Sequence, residues 1–393
     1  MTRGWTTVAL GEILTPRRQP VSVEDQQVYE QVTVRIRGRG LASRGKVHGR
    51  HIRTKRQFAV AAGQLVTSKI DARNGAFGLV PPELDGALVS GDFLAFDIAR
   101  ESCLPQYLDV YVRRPTFWEQ CELVSEGSTN RVRLVPEQFL DLAVELPPLE
   151  EQRRIVSVLA LVDRRWRSLQ EERSGLDRLR RALWAHSWEE LLSGGAELLP
   201  AVEVADVLIG ATPSRRRREY YEGGDIPWLK TGEIRFNEID DTEEKITAEA
   251  HAASATKLIP PRTVVMAMKG QGATRGRVAI INREMTTNEA VVAFVPRVPL
   301  DERFLFHWFW SQYTATRELG DGTSQPNMNR EMVQSLDVLY ADLEAQTKVA
   351  DRLDRVLALE RQVDRQAAAT VRLRSALLEH LIGGGTRAPG LAR

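Results

Sequence analysis

Between Arg35 and Arg56 the chain carries nine Lys or Arg residues and no acid, with His48 and His51 added. A second basic cluster, Arg215, Arg216, Arg217 and Arg218, is contiguous. Cations at this density pair with anions, although a charge run is also compatible with a merely solvated face. Glycines at 38, 40, 45 and 49 interleave the first cluster and predict a mobile loop that could settle into a groove. The net charge is only +1, so the balance as a whole argues neither for nor against a polyanionic partner. The acids concentrate elsewhere, above all at 237–249.

Other segments suggest catalysis less well. "KGQGATRG" at 269–276 invites a phosphate-loop reading, but strand-like runs flank it and it lacks the Gly-Lys-Ser/Thr ending, so a hairpin turn is expected. His48 and His51 have no cysteine or further histidine nearby, and two ligands are too few for a metal centre. Trp228 in "DIPWLKTGEI" reads as a core residue pinning a loop, with base stacking as the sharper alternative. Cys103 and Cys121 are the only cysteines, which excludes a disulfide framework and favours a reducing cytoplasm. The start, "MTRGWTTVALGEIL", lacks the apolar run of a signal peptide, and no window approaches a membrane span.

The elements that must position these residues occur twice. "LEEQ" at 149–152 matches "LEAQ" at 343–346, each opening a long charged helix. "VALGEIL" at 8–14 resembles "VEVADVL" at 202–208, and "VTSKIDARNGAFGLV" at 66–80 resembles "VMAMKGQGATRGRVAI" at 265–280. "FLAFDI" at 93–98 pairs with "VVAFVP" at 291–296, and "YLDVYV" at 107–112 with "FLFHWF" at 304–309. The stretch 127–142 pairs with 322–336, in the same order. Such a period is too long for a solenoid and predicts duplication of a whole domain plus helix. Runs such as "QLVTSKI", "TVVMAMK" and "RVAIIN" have strand composition, while 101–120 and 300–318 have helical spacing, so each globular part is α+β.

In the first long helix Ile155, Leu159, Val162, Trp166, Leu169, Leu176 and Leu183 follow steps of four and three, with Arg173 and Arg180 in the two missing steps. In the second, Val349, Leu353, Val356, Val363, Ala367, Leu377 and Leu381 keep the rhythm, with Glu360, Thr370 and Arg374 in the gaps. "SGG" at 193–195 and "GGG" at 383–385 mark both ends. A helix of about 40 residues spans about 60 Å, and a narrow apolar stripe that long is better buried against its twin than left alone. The expected fold class is therefore α+β: two similar globular domains separated by two long helices that form an antiparallel coiled coil, with pseudo-two-fold symmetry. The alternative is that each helix packs only on its own globule. Two similar modules held apart by a stiff spacer suit an extended ligand with two sites, and duplex DNA is the natural candidate.

The segments "LPPLEEQRRIVSVL" at 146–159, "GATPSRRRREYYEGGDIPWLKTGEI" at 210–234 and "GDGTSQPNMNREMV" at 320–333, together with the repeat, resemble the specificity subunit of Type I restriction–modification systems. The resemblance covers nearly the whole chain and departs at "LYADLEAQ", where Ala341 and Asp342 replace the prolines of the first copy. It implies a first target-recognition domain at 1–147, a first helical spacer at 148–197, a second target-recognition domain at 198–341, a second helical spacer at 342–385 and a disordered tail at 386–393. It further implies a non-catalytic chain that recognises a bipartite target in double-stranded DNA and scaffolds two modification subunits. Those partners would hold S-adenosylmethionine and methylate adenine at N6; this chain would bind no cofactor and no metal. Motor and nuclease subunits can join for restriction, and no membrane is involved. The chain lacks the Asn-Pro-Pro-aromatic motif that an adenine methyltransferase uses, in keeping with a non-catalytic role.

Lys and Arg on phosphates supply most duplex affinity, whereas Asn, Gln and Arg can read base edges. The candidates in the first domain are Arg35, Arg37, Arg39, Arg44, Lys46, Arg53, Lys55, Arg56, Lys69, Arg73, Asn74, Thr129, Asn130 and Arg131. In the second they are Arg215, Arg216, Arg217, Arg218, Lys230, Thr231, Lys269, Gln271, Arg275, Arg277, Gln325, Asn327 and Asn329. Two other readings remain at this stage: a coiled-coil adaptor whose globules bind proteins, and a self-contained methyltransferase or nuclease. The second is disfavoured by the missing cofactor loop.

Overall fold

The computed structural model describes residues 4–127, 132–270, 273–319 and 327–382. The chain divides into two compact units, residues 1–168 with 368–393, and residues 169–367. Each unit thus holds one globular domain and a part of each long helix.

In the first unit Thr6–Ala9 pairs antiparallel with Ala143–Leu146. A four-stranded sheet follows, in the order Leu14–Pro16, Phe93–Ile98, Leu65–Ser68, Phe77–Leu79. A five-stranded sheet runs Gln19–Ser22, Arg56–Ala59, Leu88–Val89, Val28–Arg35, Gly40–His48. Helices Pro105–Val112 and Pro115–Leu123 open on prolines, whose fixed φ and missing N–H suit a first turn. They bring Tyr107, Tyr111 and Phe117 against Phe77, Phe96 and Phe139, with Phe77 and Phe117 edge to face at 5.4 Å. Cys103 and Cys121 are both free and buried in this core, and burial pushes the Cys103 thiol up to about 12. Neither is a reactive thiolate.

The second unit repeats the frame. Glu197–Pro200 pairs with Asp337–Tyr340 as Thr6–Ala9 pairs with Ala143–Leu146. Its main sheet runs Ala205–Ile209, Val291–Pro296, Thr263–Ala267, Val278–Ile281, Asn237–Ile239, so the first four strands correspond in order to the four-stranded sheet of the first unit. Helix Glu302–Ser311 corresponds to Pro105–Val112, and Arg330–Gln334 to Pro136–Leu140. The segments matched in sequence thus fall on the same elements in both copies where they are described, except that 8–14 and 202–208 share a short helix and the strand after it displaced by three residues, Leu10–Ile13 answering Ala201–Val204. The insertions differ: the hairpin sheet of the first domain is replaced by a small sheet of Lys245–Ile246, Ile226–Leu229 and Thr286–Thr287.

The long helices are Leu149–Ser193 and Leu343–Ile382. The first ends where Gly195 adopts φ +96° and the N–H of Gly194 bonds Glu190 O at 3.0 Å. The helices run antiparallel within each unit. In the second, Leu169, Val363 and Ala367 form one apolar cluster, with Leu176 packed on it. In the first, Leu377, Leu381 and Ile382 meet Ile155 and Leu159 in the domain core. Polar residues in the gaps of the seam pair with acids of the opposite helix: Arg180 Nε with Glu360 Oε1 at 3.0 Å, Arg173 Nη1 with Glu360 Oε1 at 3.1 Å, and Arg374 Nε with Asp163 Oδ1 at 2.6 Å.

The helix ends also seat in the domains. Val349 and Leu353 lie in the second domain core with Trp184 and Trp188, the latter T-shaped to Phe304 and Trp308, each at 5.4 Å. Val356 is buried and Val162 and Leu183 half-buried, but Trp166 is 41% exposed. The seam does not bury this indole, because Thr370 and the Asp163–Arg374 ion pair occupy its level and leave it lining a dent of about 220 Å³ with Val162 and Val371.

Candidate nucleic-acid interface

The basic stretch 35–56 is not a mobile loop. Val32 and Val34 are buried and alternate with half-exposed or exposed neighbours, so the segment zips into a hairpin of Val28–Arg35 with Gly40–His48, bulged between Gln31 and Val32. The glycines serve the turn: Arg37, Gly38 and Gly40 have φ of +59°, +65° and +68°. Its tip is tied down by Arg37 N–H to Asn74 O at 2.7 Å, Gly38 N–H to Gly75 O at 2.9 Å, and Arg113 Nη1 to Gly38 O at 3.0 Å. Arg113 is itself held by Asp109 at 2.7 Å.

Arg35, Arg37, Arg39, Arg44, Lys46, Arg53, Lys55 and Arg56 are all exposed. Among the described residues only Lys55 of these eight forms an ion pair, with Asp25 at 2.5 Å. The tip hydrogen bonds bring the hairpin beside the turn that carries half-exposed Arg73 and exposed Asn74, whose Nδ2 donates to Asp71 at 3.0 Å. Lys69 is half-buried at the end of its strand, and burial, with Arg18 nearby, lowers its pKa. Thr129, Asn130 and Arg131 lie outside the described residues, as do Gln271 and Gln325.

The second domain is arranged differently. Arg215–Arg218 are exposed, yet two are engaged: Arg215 Nη1 meets Glu244 at 2.6 Å, and Arg217 Nη1 donates to the Tyr220 hydroxyl at 2.7 Å. Lys230 Nζ also meets Glu244, at 2.8 Å, and that hydrogen bond raises its pKa. Thr231 is half-exposed at the start of a short 3₁₀ turn, and Lys269 is half-exposed. Trp228 is the core residue expected: 1% exposed, its Nε1 donating to Ala211 O at 3.0 Å.

The segment 269–276 does join two antiparallel strands, Thr263–Ala267 and Val278–Ile281. Arg275 and Arg277, expected at the surface, are drawn into the fold. Arg275 is buried and its Nη2 donates to Arg317 O, and Arg277 is half-buried. The cause is the Tyr313 hydroxyl, which holds Ala273 O at 2.6 Å and folds the turn onto the helix Tyr313–Glu318. Asn329 caps Arg330–Gln334 by accepting from Met332 N at 2.9 Å, whereas Asn327 is exposed. Glu244, the hub of the second cluster, was visible in sequence only as one acid in a run.

Frame and surface define a duplicated α+β protein carried on paired long helices, each copy exposing a cluster of cations. Residues 201–367 match the family model for the Type I restriction modification DNA specificity domain. The chain is 23% identical over 208 residues to the Type I restriction enzyme EcoR124I/EcoR124II specificity subunit of Escherichia coli, covering 51% of this chain. That alignment spans about half the relative's length, 52%. The HindI specificity subunit of Haemophilus influenzae is 19% identical across 83% of this chain and 87% of its own.

Among solved structures, one from a study of complex assembly and conformational transition of the type I R-M system superposes with a TM-score of 0.63 at 20% identity, covering 97% of this chain and 98% of that one. The Type I S subunit from M. genitalium gives 0.57 at 12% identity, covering 98% and 97%. The resemblance to Type I specificity subunits is borne out, as is the fold class expected from it.

Proposed function

We propose that the chain is the DNA-recognition subunit of a Type I restriction–modification complex, with each globular domain reading one half of a bipartite target. The observation that carries this is the duplicated frame: the second copy falls within a DNA specificity domain match, and the first presents an anchored hairpin of exposed, largely unpaired cations. Cations of that kind gain affinity from phosphates by releasing counterions.

The long helices would dock two modification subunits, and apolar residues left exposed on them support this: Leu161, Trp166, Val371 and Leu373. On this reading S-adenosylmethionine sits on those partners, adenine N6 is methylated by them, and this chain is a non-catalytic scaffold in the cytoplasm. Restriction subunits would join the same assembly. No described helix is long and apolar enough to cross a membrane.

The test is duplex binding by the full chain across a salt series, followed by methyl transfer with and without modification subunits. Salt-sensitive binding and methylation only in the complex are expected. Methylation by the isolated chain at a rate rivalling the complex, or binding unaffected by salt, would sink the reading.

A further inference from the structure

Two cations of the second domain, Arg215 and Lys230, are in a different electrostatic state from those of the hairpin in the first domain. In the first, Arg37, Arg39, Arg44 and Lys46 are exposed and have no ion pair among the described residues. In the second, one carboxylate takes two cations: Glu244 Oε2 holds Arg215 Nη1 at 2.6 Å, and Oε1 holds Lys230 Nζ at 2.8 Å. Glu243 adds a second acid 3.5 Å from Lys230.

Ordinary surface pairs break and re-form freely and contribute little. This one is fixed from both sides. The Arg215 guanidinium lies over Tyr221 and Trp228, 4.3 and 4.6 Å from the ring centroids. The backbone carbonyl of Glu244 accepts from Trp228 N at 3.1 Å and from the Thr242 hydroxyl at 2.5 Å. Arginine and glutamate are therefore both fastened to the same buried tryptophan, and Arg215 cannot swing away from the acid without leaving its aromatic stack. The hydrogen bonds from Lys230 and Arg215 hold the Glu244 carboxyl below its usual range, so it stays charged.

Deepening the DNA-recognition reading, on which it rests, we propose that Glu244 is a specificity-determining residue. Its carboxylate keeps Arg215 and Lys230 in internal pairs, so that a phosphate of arbitrary sequence gains little from either cation. A phosphate entering this cluster meets like charge at contact distance, whereas a matched site can supply groups that use the oriented cations and the carboxylate together. The second domain thereby contributes discrimination by rejecting wrong partners, and the first contributes general affinity.

The full chain is titrated at several salt concentrations with a mixed-sequence duplex and with the duplex that the wild type selects from a randomised pool. Glu244→Gln should raise mixed-sequence affinity about fivefold at low salt and steepen the log–log salt slope by about one, as one further phosphate contact would. Affinity for the selected duplex should rise less, so the ratio of the two falls. Glu244→Asp keeps the charge beside both cations on a shorter side chain and should raise mixed-sequence binding less than Glu244→Gln does. Glu284→Gln removes an exposed acid that has no ion pair among the described residues, and should leave both affinities and the slope unchanged.

The proposal is overturned if Glu244→Gln matches Glu284→Gln, or if Glu244→Asp raises mixed-sequence binding as much as Glu244→Gln does. A wild-type chain that binds no duplex at low salt would instead overturn the DNA reading itself, and this inference with it.

Discussion

Arg180 Nε reaches both carboxylate oxygens of Glu360 across the paired helices, at 3.0 and 3.3 Å, with the two side chains only 4% and 1% exposed. Both residues interrupt the apolar rhythm of their helices, and the interruptions answer each other. The guanidinium also lies over both Trp184 and Trp310, 4.4 and 4.1 Å from the ring centroids. Removing Glu360 takes away the buried partner of Arg180 and leaves it only Asp177 of its own helix, at 2.5 Å and partly exposed, so most of the compensation of a buried charge is lost. Glu360→Ala should therefore cost about 3–5 kcal/mol in denaturant unfolding, while replacing Arg180 and Glu360 together by leucine should cost far less. Equal losses for the single and double changes would contradict this account.

The repeated glutamine of "LEEQ" and "LEAQ" has a physical reason. Gln152 Nε2 donates to Ser102 O and Pro147 O, each at 2.8 Å, and its Oε1 accepts from Leu104 N at 2.7 Å. Gln346 does the same in the second copy, donating to Pro299 O and Ala341 O and accepting from Asp301 N at 2.9 Å. Each glutamine fully occupies a buried site that fastens a long helix to its domain. Gln152→Ala should destabilise by about 1–3 kcal/mol for each backbone group left unpaired. Gln152→Glu, which can accept but not donate when ionised, should also destabilise. Thermal unfolding of both variants checks this, and a wild-type midpoint for Gln152→Glu would count against it.

His307 supplies a pH dependence. Burial holds its pKa below the ordinary value, an effect only partly offset by the hydrogen bond from Nε2 to Asp354 Oδ1 at 2.9 Å. For Asp354, burial alone would raise the pKa, but His307 and Arg303 outweigh it and the net shift is downward. As pH falls below about 6.5 the unfolded chain protonates this histidine and the folded chain does not, so stability declines. The Asp354 contribution is likewise present above its unfolded pKa and lost in acid. Stability measured from pH 7.5 to 5 should fall, and His307→Gln should flatten the upper part of that slope. An unchanged slope in the variant would show that other groups carry it.

The parts of this structure legible in sequence are those with a period or a partner of fixed type. The duplication, the helix seam and the strand runs were all visible because side-chain spacing directly sets which face is buried. Trp184 and Trp188 were missed as core anchors of the second domain, because a seam read at 3.5 residues per turn drifts against a straight helix of 3.6. The hairpin at 28–48 was hidden because glycine marks mobility and positive φ alike, and only the buried Val32 and Val34 decide between them. The fates of Arg275 and Glu244 depend on contacts with Arg317 and Arg215, residues far off in the chain, which local pattern does not encode.

The anchored hairpin makes the most direct prediction about DNA. Arg44 and Lys46 lie on its edge strand, exposed and without an ion pair among the described residues, so neither supports the fold through a charge partner. Arg44→Gln and Lys46→Gln should leave the melting temperature within about 2 °C of wild type, as surface changes away from packed features do. If these side chains contact phosphates, each change should weaken duplex binding across all sequences and reduce the salt slope by about one. If instead they guard the edge strand against pairing with another chain, DNA binding should hold and the variants should aggregate. Arg275→Gln gives the opposite pattern, because its guanidinium is buried against Arg317 O: a lower melting temperature, with the salt slope of the surviving folded chain unchanged. Light scattering, thermal unfolding and a salt titration of the same preparations separate these outcomes, and a full wild-type slope in the Arg44→Gln and Lys46→Gln variants would remove the hairpin from the interface.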